Sequence, residues 1–445
     1  MDILIMVSQL VLSLAILIVL HEAGHFIPAK LFKTRVEKFY LFFDPWFSLF
    51  RFKKGDTEYG IGWLPLGGYV KISGMIDESM DKEQMKQPPK PWEFRSKPAW
   101  QRLVIMLGGV FVNFILGFFI FAMILWSYGE TYLPAENVTA GIHADSIGQE
   151  IGLETGDHIL YIGDVPFERF APQNLIREVV VNQARTITVE RDGREVQIPI
   201  EDHYARMMAS HDFRNHRVFT ARFPFKVFQV APDTPAEEAG LKPGDQVLNM
   251  EGISIHYFDE FQRYAREFAG EKVTIDIRRG DGSIASMEVQ LTEQGTIGVF
   301  PYGADHFYET ATREFGFLES LPAGYRQGMT FLTDQLKAFG QMFTGDLKAS
   351  ESLGGFGTIT SLFPTQWHWA DFWRVTAVLS LILGFMNLLP IPALDGGHVM
   401  FLLWEVITGK KPSDKFMEYA TIIGFIIVIS IVLYANGLDV VRWLG

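Results

Sequence analysis

Four long apolar stretches interrupt an otherwise soluble-looking chain. Ile3–Leu20, Leu103–Trp126 and Tyr419–Tyr434 contain no Asp, Glu, Lys or Arg, and Val375–Leu389 is a shorter apolar run that an aromatic pair extends at its start. A helix needs about 20 apolar residues to cross about 30 Å of hydrocarbon. The predicted fold class is therefore a polytopic α-helical membrane protein with four transmembrane helices.

A secretory signal peptide is the alternative interpretation of the first run. Such a peptide has positive charge before its apolar stretch and a small-residue cleavage site after it. Here Asp2 is the only preceding charge, and the sequence HEAGH follows directly. The pattern favours a retained span.

The distribution of Lys and Arg predicts how the spans are oriented. Fourteen Lys and Arg residues lie from Lys30 to Arg102, between the first two runs, and Lys410, Lys411 and Lys415 lie between the last two. Short loops rich in these residues stay in the cytoplasm. We therefore expect both termini and the long stretch from Tyr128 to Asp371 on the external side.

The external stretch contains an internal repeat. ADSIGQEIGLETGD, beginning at Ala144, matches PDTPAEEAGLKPGD, beginning at Pro232, at an offset of 88 residues. Each copy continues into alternating apolar and polar positions with Asp-Gly turns, a pattern typical of β-hairpins. We expect one module at 128–216, a second at 217–303, and external amphipathic or linker helices at 304–371.

Composition narrows the possible functions. The net charge of −13 argues against nucleic-acid binding. The sequence contains no cysteine, so disulfides and thiolate metal sites are excluded. Any metal ion must be held by His, Asp or Glu.

Directly after the first apolar run comes an H-E-x-x-H motif, formed by His21, Glu22 and His25. On a helix, the two histidines project from successive turns of one face and can bind one metal ion, with the glutamate beside them as a general base. Ionisable groups at membrane depth are costly and usually functional.

The third ligand must come from elsewhere, and two carboxylates remain candidates. Spacing does not exclude Glu58. Asp395 is the better candidate, because spans one and three run in the same direction and their final residues reach the same depth. Pro390 and Pro392 precede it and break the helix, which is tolerated at depth only where the backbone is buried or lines a wet cavity.

Four elements together resemble the site-2 protease family of intramembrane zinc metalloproteases, and its bacterial branch with tandem PDZ domains that cleaves anti-sigma factors. They are HEAGH in the first span, NLLPIPALDGGH after the third, the two repeats, and YGIGWLPLGGYVKISGM from Tyr59. They cover essentially the whole chain. One departure is Gly355, which stands where the family usually has a proline.

The resemblance implies a role for each matching residue. His21, His25 and Asp395 would hold zinc (Zn²⁺), with Glu22 as the catalytic base, and Asn387 would bind the substrate backbone or the developing oxyanion. A membrane-associated β-element at about 59–76 would pair with an unwound substrate strand through Gly67, Gly68 and Tyr69. A soluble hairpin is the alternative for that element.

The resemblance also implies a domain plan. Residues 1–127 would hold helices one and two with the β-element, and 372–445 would hold helices three and four. The repeats would be external α/β PDZ-like domains that bind a substrate ectodomain or peptide at a sheet edge. Two structural β-domains that bind nothing are the alternative.

The implied function is cleavage within transmembrane segments of single-pass proteins at the bacterial cytoplasmic membrane. The implied substrate is an anti-sigma factor already trimmed by a first protease, in an envelope stress response; remnant signal peptides are a further class. An inactive PDZ-bearing scaffold and a metal transporter are the rival hypotheses. Asn113 in span two fits either cavity lining or interhelical contact, and His398 fits a supporting role.

Overall fold

The computed structural model describes residues 2–65, 67–75, 87–210, 213, 216–345 and 353–444. The described residues form two compact units. A helix unit comprises residues 1–129, 314–339 and 353–445, and a β unit comprises residues 130–313 and 340–352.

The helices run in the following order along the chain: α1 (Asp2–Leu31), α2 (Ala99–Tyr128), α3 (Ser146–Ile151), α4 (Gln173–Ile176), α5 (Asp202–Ala209), α6 (Pro235–Glu238), α7 (Phe258–Glu267), α8 (Ala304–Phe307), α9 (Phe317–Thr344), α10 (Phe356–Thr360), α11 (Trp369–Leu388), α12 (Asp395–Thr408) and α13 (Asp414–Leu444). Among the described residues, α1, α2, α11 and α13 are long and apolar enough to cross a membrane. The four predicted spans are confirmed at this level, and they fit a polytopic membrane protein.

Helices α1 and α2 cross at a pair of glycines. A Cβ added to Gly108 would lie 1.9 Å from the carbonyl oxygen of Gly24, and one added to Gly24 would lie 2.4 Å from that of Gly108. Small residues at helix crossings let backbones approach closely in membranes. Here they bring the H-E-x-x-H turns of α1 directly against α2.

Buried hydroxyl and amide groups align α11 with the other two helices. Thr376 on α11 donates to Ser13 Oγ on α1 at 3.0 Å, and Ser380 donates to the carbonyl oxygen of Asn113 on α2 at 2.7 Å. All four side chains are buried. These hydrogen bonds fix the axial register of the three helices.

The segment predicted at 304–371 does not form one body, because residues 317–339 of α9 belong to the helix unit. A Cβ on Gly324 would lie 2.4 Å from the Ala122 nitrogen on α2, and Leu332 packs in the core that α2 and α11 share. The sequence expectation rested on the mixed polarity of this segment, which cannot reveal that glycines allow contact with α2.

Helix α12 is fixed to α2 by a partly buried ion pair and an apolar contact. Arg102 donates to Glu405 at 2.5 Å, and Val399 and Leu402 share a core cluster with α1 and α2. This arrangement matters because α12 begins at Asp395.

Helix α13 is mostly exposed and makes two separate contacts along its length. A Cβ on Gly424 would lie 1.2 Å from the carbonyl oxygen of Pro392. Toward its C-terminus, Asn436 Oδ1 and Asp439 Oδ2 accept hydrogen bonds from the backbone of Phe356 and Thr358. Gly355 lies against Asn436, where a Cβ would be 2.8 Å from its Cα, so a glycine suits this contact.

The helix unit also contains a four-stranded sheet, formed by β1 (Val36–Leu41), β2 (Phe43–Lys54), β3 (Thr57–Leu64) and β4 (Tyr69–Ile72) in the order β2-β3-β1-β4. The sequence predicted only its second half, from about residue 59. Strands β3 and β4 are not neighbours, since β1 lies between them, parallel to β3 and antiparallel to β4. The element is therefore not a simple hairpin.

The β unit contains β5 (Glu130–Tyr132), β6 (Ile142–Ala144), β7 (His158–Ile162), β8 (Val165–Pro166), β9 (Thr186–Arg191), β10 (Arg194–Pro199), β11 (Phe219–Ala221), β12 (Val227–Val230), β13 (Gln246–Met250), β14 (Ile253–Ser254), β15 (Lys272–Arg278), β16 (Ile284–Gln290), β17 (Val299–Pro301) and β18 (Ala311–Arg313). The sheets β10-β9-β7-β8 and β16-β15-β13-β14 have the same order, and each accompanies a two-stranded pair, β11-β6 or β12-β17. The sequence repeat is thus a structural repeat.

Each copy carries the same ion pair between a buried aspartate and a partly exposed arginine. Arg191 donates to Asp157 at 2.7 Å, and Arg279 donates to Asp245 at 2.6 Å. Both aspartates also accept a hydrogen bond from the backbone three residues earlier. The Asp of the G-D pair therefore closes the turn in each copy.

The expected boundary between the two copies, at 216/217, is wrong. Strand β11 pairs with β6 of the first copy, and Phe219 belongs to the first core, whereas the second core begins at Phe225. The first copy needs this strand to close its small sheet, and short apolar strands carry too little pattern to be assigned from sequence.

We predict that Gly108→Ala destabilises the protein, because its methyl group would overlap the Gly24 carbonyl and force α1 from α2. Overpacking of this kind costs about 1–3 kcal/mol. The matched control is Gly437→Ala on exposed α13, where a Cβ meets nothing within 4 Å. Thermal unfolding in detergent measures both; equal midpoints for the two variants would contradict the close crossing.

Candidate metal centre

His21, His25 and Asp395 converge at one point in the helix unit. The Nε2 atoms of the two histidines are 3.3 Å apart, and Asp395 Oδ2 lies 3.3 Å from His21 Nε2 and 3.4 Å from His25 Nε2. Among the described residues, these three form the group of His, Asp and Glu side chains suited to a metal ion. The structure brings together the ligands that the sequence predicted.

The donor triangle fits zinc. Ligand atoms at about 2.0–2.1 Å around a tetrahedral ion lie about 3.3 Å from one another. Apart from the two histidine nitrogens at 3.3 and 3.4 Å, the buried Asp395 Oδ2 has no hydrogen-bond partner. A buried acceptor without a partner is expensive unless another group, such as a cation, satisfies it. Three protein ligands leave a position open, as in catalytic zinc sites.

Local sequence explains how each ligand reaches the point. His21 and His25 lie one turn apart on α1, which continues unbroken to Leu31. Asp395 is the first residue of α12, after a break at 389–394 in which Ala393 has a φ of 107°. The break returns the chain toward α1 and aims the carboxylate at the histidines.

The outer nitrogens of both histidines contact α2. His25 Nδ1 lies 2.8 Å from the carbonyl oxygen of Ile105, and His21 Nδ1 lies 3.0 Å from the Asn113 amide. A Cβ on Gly109 would lie 2.3 Å from His25 Nε2. A metal-bound histidine is generally oriented through its other nitrogen, and α2 supplies those contacts here.

Glu58, the alternative third ligand, is engaged elsewhere. Its Oε1 accepts a hydrogen bond from the Tyr40 hydroxyl at 2.7 Å, and Glu58 pairs within the sheet on β3. It does not belong to the metal-ligand group. Asp395 is the ligand that the geometry supports.

A cavity of about 740 Å³ opens on the ligand triangle. Its lining includes the three ligands and the predicted residues Glu22, Asn387, Gly68 and Tyr69. Asn387 Nδ2 lies 3.5 Å from His21 Nε2. The cavity thus combines a candidate base, an amide donor and a metal cluster.

Strand β4 borders the cavity. A Cβ on Gly68 would lie 2.5 Å from Ile18 Cγ2 and 3.6 Å from Glu22 Cγ, so the strand begins directly against α1. Gly67 is outside the lining, beside the Phe43 ring, and has a φ of 155°. Its position suggests that it shapes the turn rather than touching a ligand.

A polar network that the sequence did not reveal holds Tyr69. Its hydroxyl donates to Asp44 at 2.8 Å and accepts from Lys38 at 3.3 Å, and both partners line the cavity. Burial and the Asp44 hydrogen bond raise the pKa of Tyr69, so it remains a neutral donor. Nothing in the spacing of Lys38 and Asp44 could have marked them, because the irregular pairing of β2 brings them together.

Comparison with known proteins agrees with this site. The family model of Peptidase family M50 matches residues 9–431 of this chain. The chain is 27% identical to the regulator of sigma E protease of Haemophilus influenzae, over 98% of each chain, and 26% identical to that of Escherichia coli K12, over 95% of each. A protein of Neisseria meningitidis named provisionally as a zinc metalloprotease is 27% identical over 98% of each chain.

A His-His-Asp cluster beside a glutamate and a cavity defines a metal-dependent hydrolase. With the match across nearly its whole length, the chain belongs to Peptidase family M50. It is a zinc metalloprotease of the site-2 type, and the four apolar helices fit a bacterial inner-membrane protein.

We predict that the purified protein carries about one zinc ion per chain and that His21→Ala, His25→Ala and Asp395→Ala each lose it, since a three-ligand site tolerates no missing donor. His368→Ala, which removes an exposed histidine at the start of α11, is the matched control. Elemental analysis after purification in detergent measures the ratio. Full zinc content in Asp395→Ala would show that the third ligand is Glu58 or another donor.

Proposed function

We propose that this protease hydrolyses peptide bonds within the transmembrane segments of single-pass membrane proteins. The observation that carries the proposal is the position of the metal cluster: His21 and His25 lie on α1, a helix apolar and long enough to span a membrane. A cavity at that depth receives a substrate segment that is itself in the bilayer.

The chain's residues divide the chemistry among them. When bound by His21, His25 and Asp395, zinc supplies a Lewis acid that activates water and polarises a carbonyl. Glu22 takes the proton of the attacking water and later delivers it to the leaving amine. Asn387 directs its amide N–H at the carbonyl oxygen, a type of donor whose removal costs about 10²–10³ in rate.

Strand β4 is the proposed docking edge for the unwound substrate. Within the described part of the chain, β4 is the last strand of its sheet, and Gly68 and Tyr69 lie on the cavity. A helical segment hides its carbonyls in hydrogen bonds, so it must be extended before cleavage. An added strand on β4 supplies replacement hydrogen bonds. Gly67 shapes the entry to this edge.

The neighbouring sheet surface suits contact with the bilayer. Four aromatic side chains on β2 are at least half exposed, namely Trp46, Phe47, Phe50 and Phe52. A large exposed apolar patch marks an interaction surface, and aromatic rings favour the membrane–water interface. We place this β-element at the cytoplasmic side of the membrane, in accord with the Lys and Arg counts.

The relatives' names support a proposal for the substrate and pathway. Two relatives are named regulators of sigma E. We propose for this chain an anti-sigma factor that a first protease has trimmed, within an envelope stress response, with remnant signal peptides as a second class. The chain would then be a multi-pass protein of the bacterial cytoplasmic membrane with both termini outside.

The two repeated modules of the β unit are proposed as PDZ-like domains on the external side. Both modules have the same strand order, each has a buried aspartate paired with an arginine, and the first module extends to β11. Their proposed role is a size filter that excludes substrates with a large ectodomain, through contact with that ectodomain or a peptide from it.

We predict that Glu22→Gln abolishes cleavage, lowering the rate by at least about 10²–10⁴, because the amide cannot accept the water proton. Its zinc content should equal that of wild type. The assay uses detergent-solubilised protein and a single-span substrate without its ectodomain, with cut sites mapped by mass spectrometry in the presence and absence of a chelator. If wild type also leaves a bound substrate intact, the scaffold hypothesis replaces this one.

We predict that joining Gly129 directly to Glu314 allows cleavage of substrates with intact ectodomains. Glu130 and Arg313 pair across β5 and β18, so their Cα atoms are about 5 Å apart and the deletion leaves matched ends. A substrate lacking its ectodomain is the control for retained activity. A deletion variant that cuts the short substrate but still rejects the long one would refute the filter.

A further inference from the structure

One face of α2 lies behind both histidines. Ile105, Gly109 and Asn113 are spaced four residues apart, so they share a helix face. Ile105 supplies a carbonyl oxygen to His25 Nδ1, Gly109 leaves room for both rings, and the Asn113 amide lies 3.0 Å from His21 Nδ1. The partner of His25 Nδ1 is therefore a backbone atom, whereas the partner of His21 Nδ1 is a side chain.

Asn113 is held rigidly where it meets His21. Its side chain is fully buried and lies outside the cavity lining. Ser380 on α11 donates to the backbone carbonyl oxygen of Asn113 at 2.7 Å, and a Cβ added to Gly384 would lie 3.3 Å from the Cβ of Asn113. Of the two sequence interpretations, cavity lining is excluded, and the contact is with a metal-cluster histidine.

The chemistry of the pair determines which amide atom faces the ring. His21 Nε2 points at His25 and Asp395, so a metal ligand there needs its lone pair on Nε2 and its proton on Nδ1. An amide nitrogen facing Nδ1 would set two N–H donors against each other. Asn113 Oδ1, meanwhile, is buried without a partner. Exchanging the two amide atoms is sterically neutral and gives Nδ1–H its acceptor.

We propose that Asn113 is a positioning residue that accepts a hydrogen bond from His21 Nδ1–H and thereby holds the Nε2 lone pair toward the zinc position. The inference rests on the proposed assignment of His21 as a ligand. The Ile105 carbonyl performs the same task for His25, so α2 orients both imidazoles while contributing no ligand of its own.

The test compares zinc affinity across variants of the full-length protein. Metal-free protein in detergent is titrated with Zn²⁺ against a competing chelator, and the unfolding midpoint is recorded without metal. Asn113→Leu removes the acceptor at similar volume and should weaken binding about 10–100-fold. Asn113→Asp keeps an acceptor oxygen for His21 Nδ1–H in either protonation state, so it should bind zinc at least as tightly as wild type.

Gln9→Met is the matched control, since it removes another buried amide from a spanning helix, one that donates to the carbonyl oxygen of Pro364 and contacts neither His21 nor Asn113. Its affinity should stay within about twofold of wild type. His21→Ala is the reference for the ligand assignment. An unfolding midpoint that is unchanged while affinity falls separates positioning of the imidazole from a purely structural role.

The outcomes distinguish the positioning role of Asn113 from the assignment of His21 as a ligand. Wild-type affinity in Asn113→Leu, or an Asn113→Asp protein as weak as Asn113→Leu, overturns the positioning role while His21 remains a ligand. Wild-type affinity in His21→Ala instead overturns the assignment on which the inference rests. If Asn113→Leu does not fold, Asn113→Asp decides alone, because folded protein with weakened zinc binding contradicts an accepting Asn113.

Discussion

The close approach of α1 and α2 is the constraint on which the site depends. With Gly24 and Gly108 in backbone contact, the face of α2 from Ile105 to Asn113 comes within hydrogen-bonding distance of both histidine rings. A wider crossing would leave two imidazoles buried at membrane depth with free nitrogens, which is costly. The crossing of the first two helices thus orients two of the three residues of the candidate metal site.

Asp395 completes the site through a different kind of constraint. The helical path is interrupted after α11, and the hydrogen bonds that α11 makes to α1 and α2 set the position of this interruption. On its far side, the ion pair between Arg102 and Glu405 ties α12 to α2. The packing of whole helices therefore brings the Asp395 carboxylate to His21, although the two residues lie far apart in the sequence.

Sequence patterns predicted the parts of this architecture that repeat or have a fixed period. The apolar runs, the H-E-x-x-H spacing and the 88-residue repeat each correspond to a local rule, and each reappears in the structure. The direction assumed for the spans predicted that Asp395 lies at the depth of His21, and the two side chains are 3.3 Å apart. What the sequence could not reveal depends on non-local contact: the first half of the sheet, the α9 packing through Gly324, and the polar network of Lys38, Asp44 and Tyr69.

The cavity has a consequence for where the reaction obtains its water. Hydrolysis consumes one water molecule at each cut, and hydrocarbon supplies almost none. At about 30 Å³ of liquid volume per molecule, a space of about 740 Å³ has room for tens of water molecules. Lys38 and Asp44 give this space a charged wall, and polar, roomy sites are those that retain water. A wet cavity facing the ligand triangle would therefore supply the water that each cut consumes.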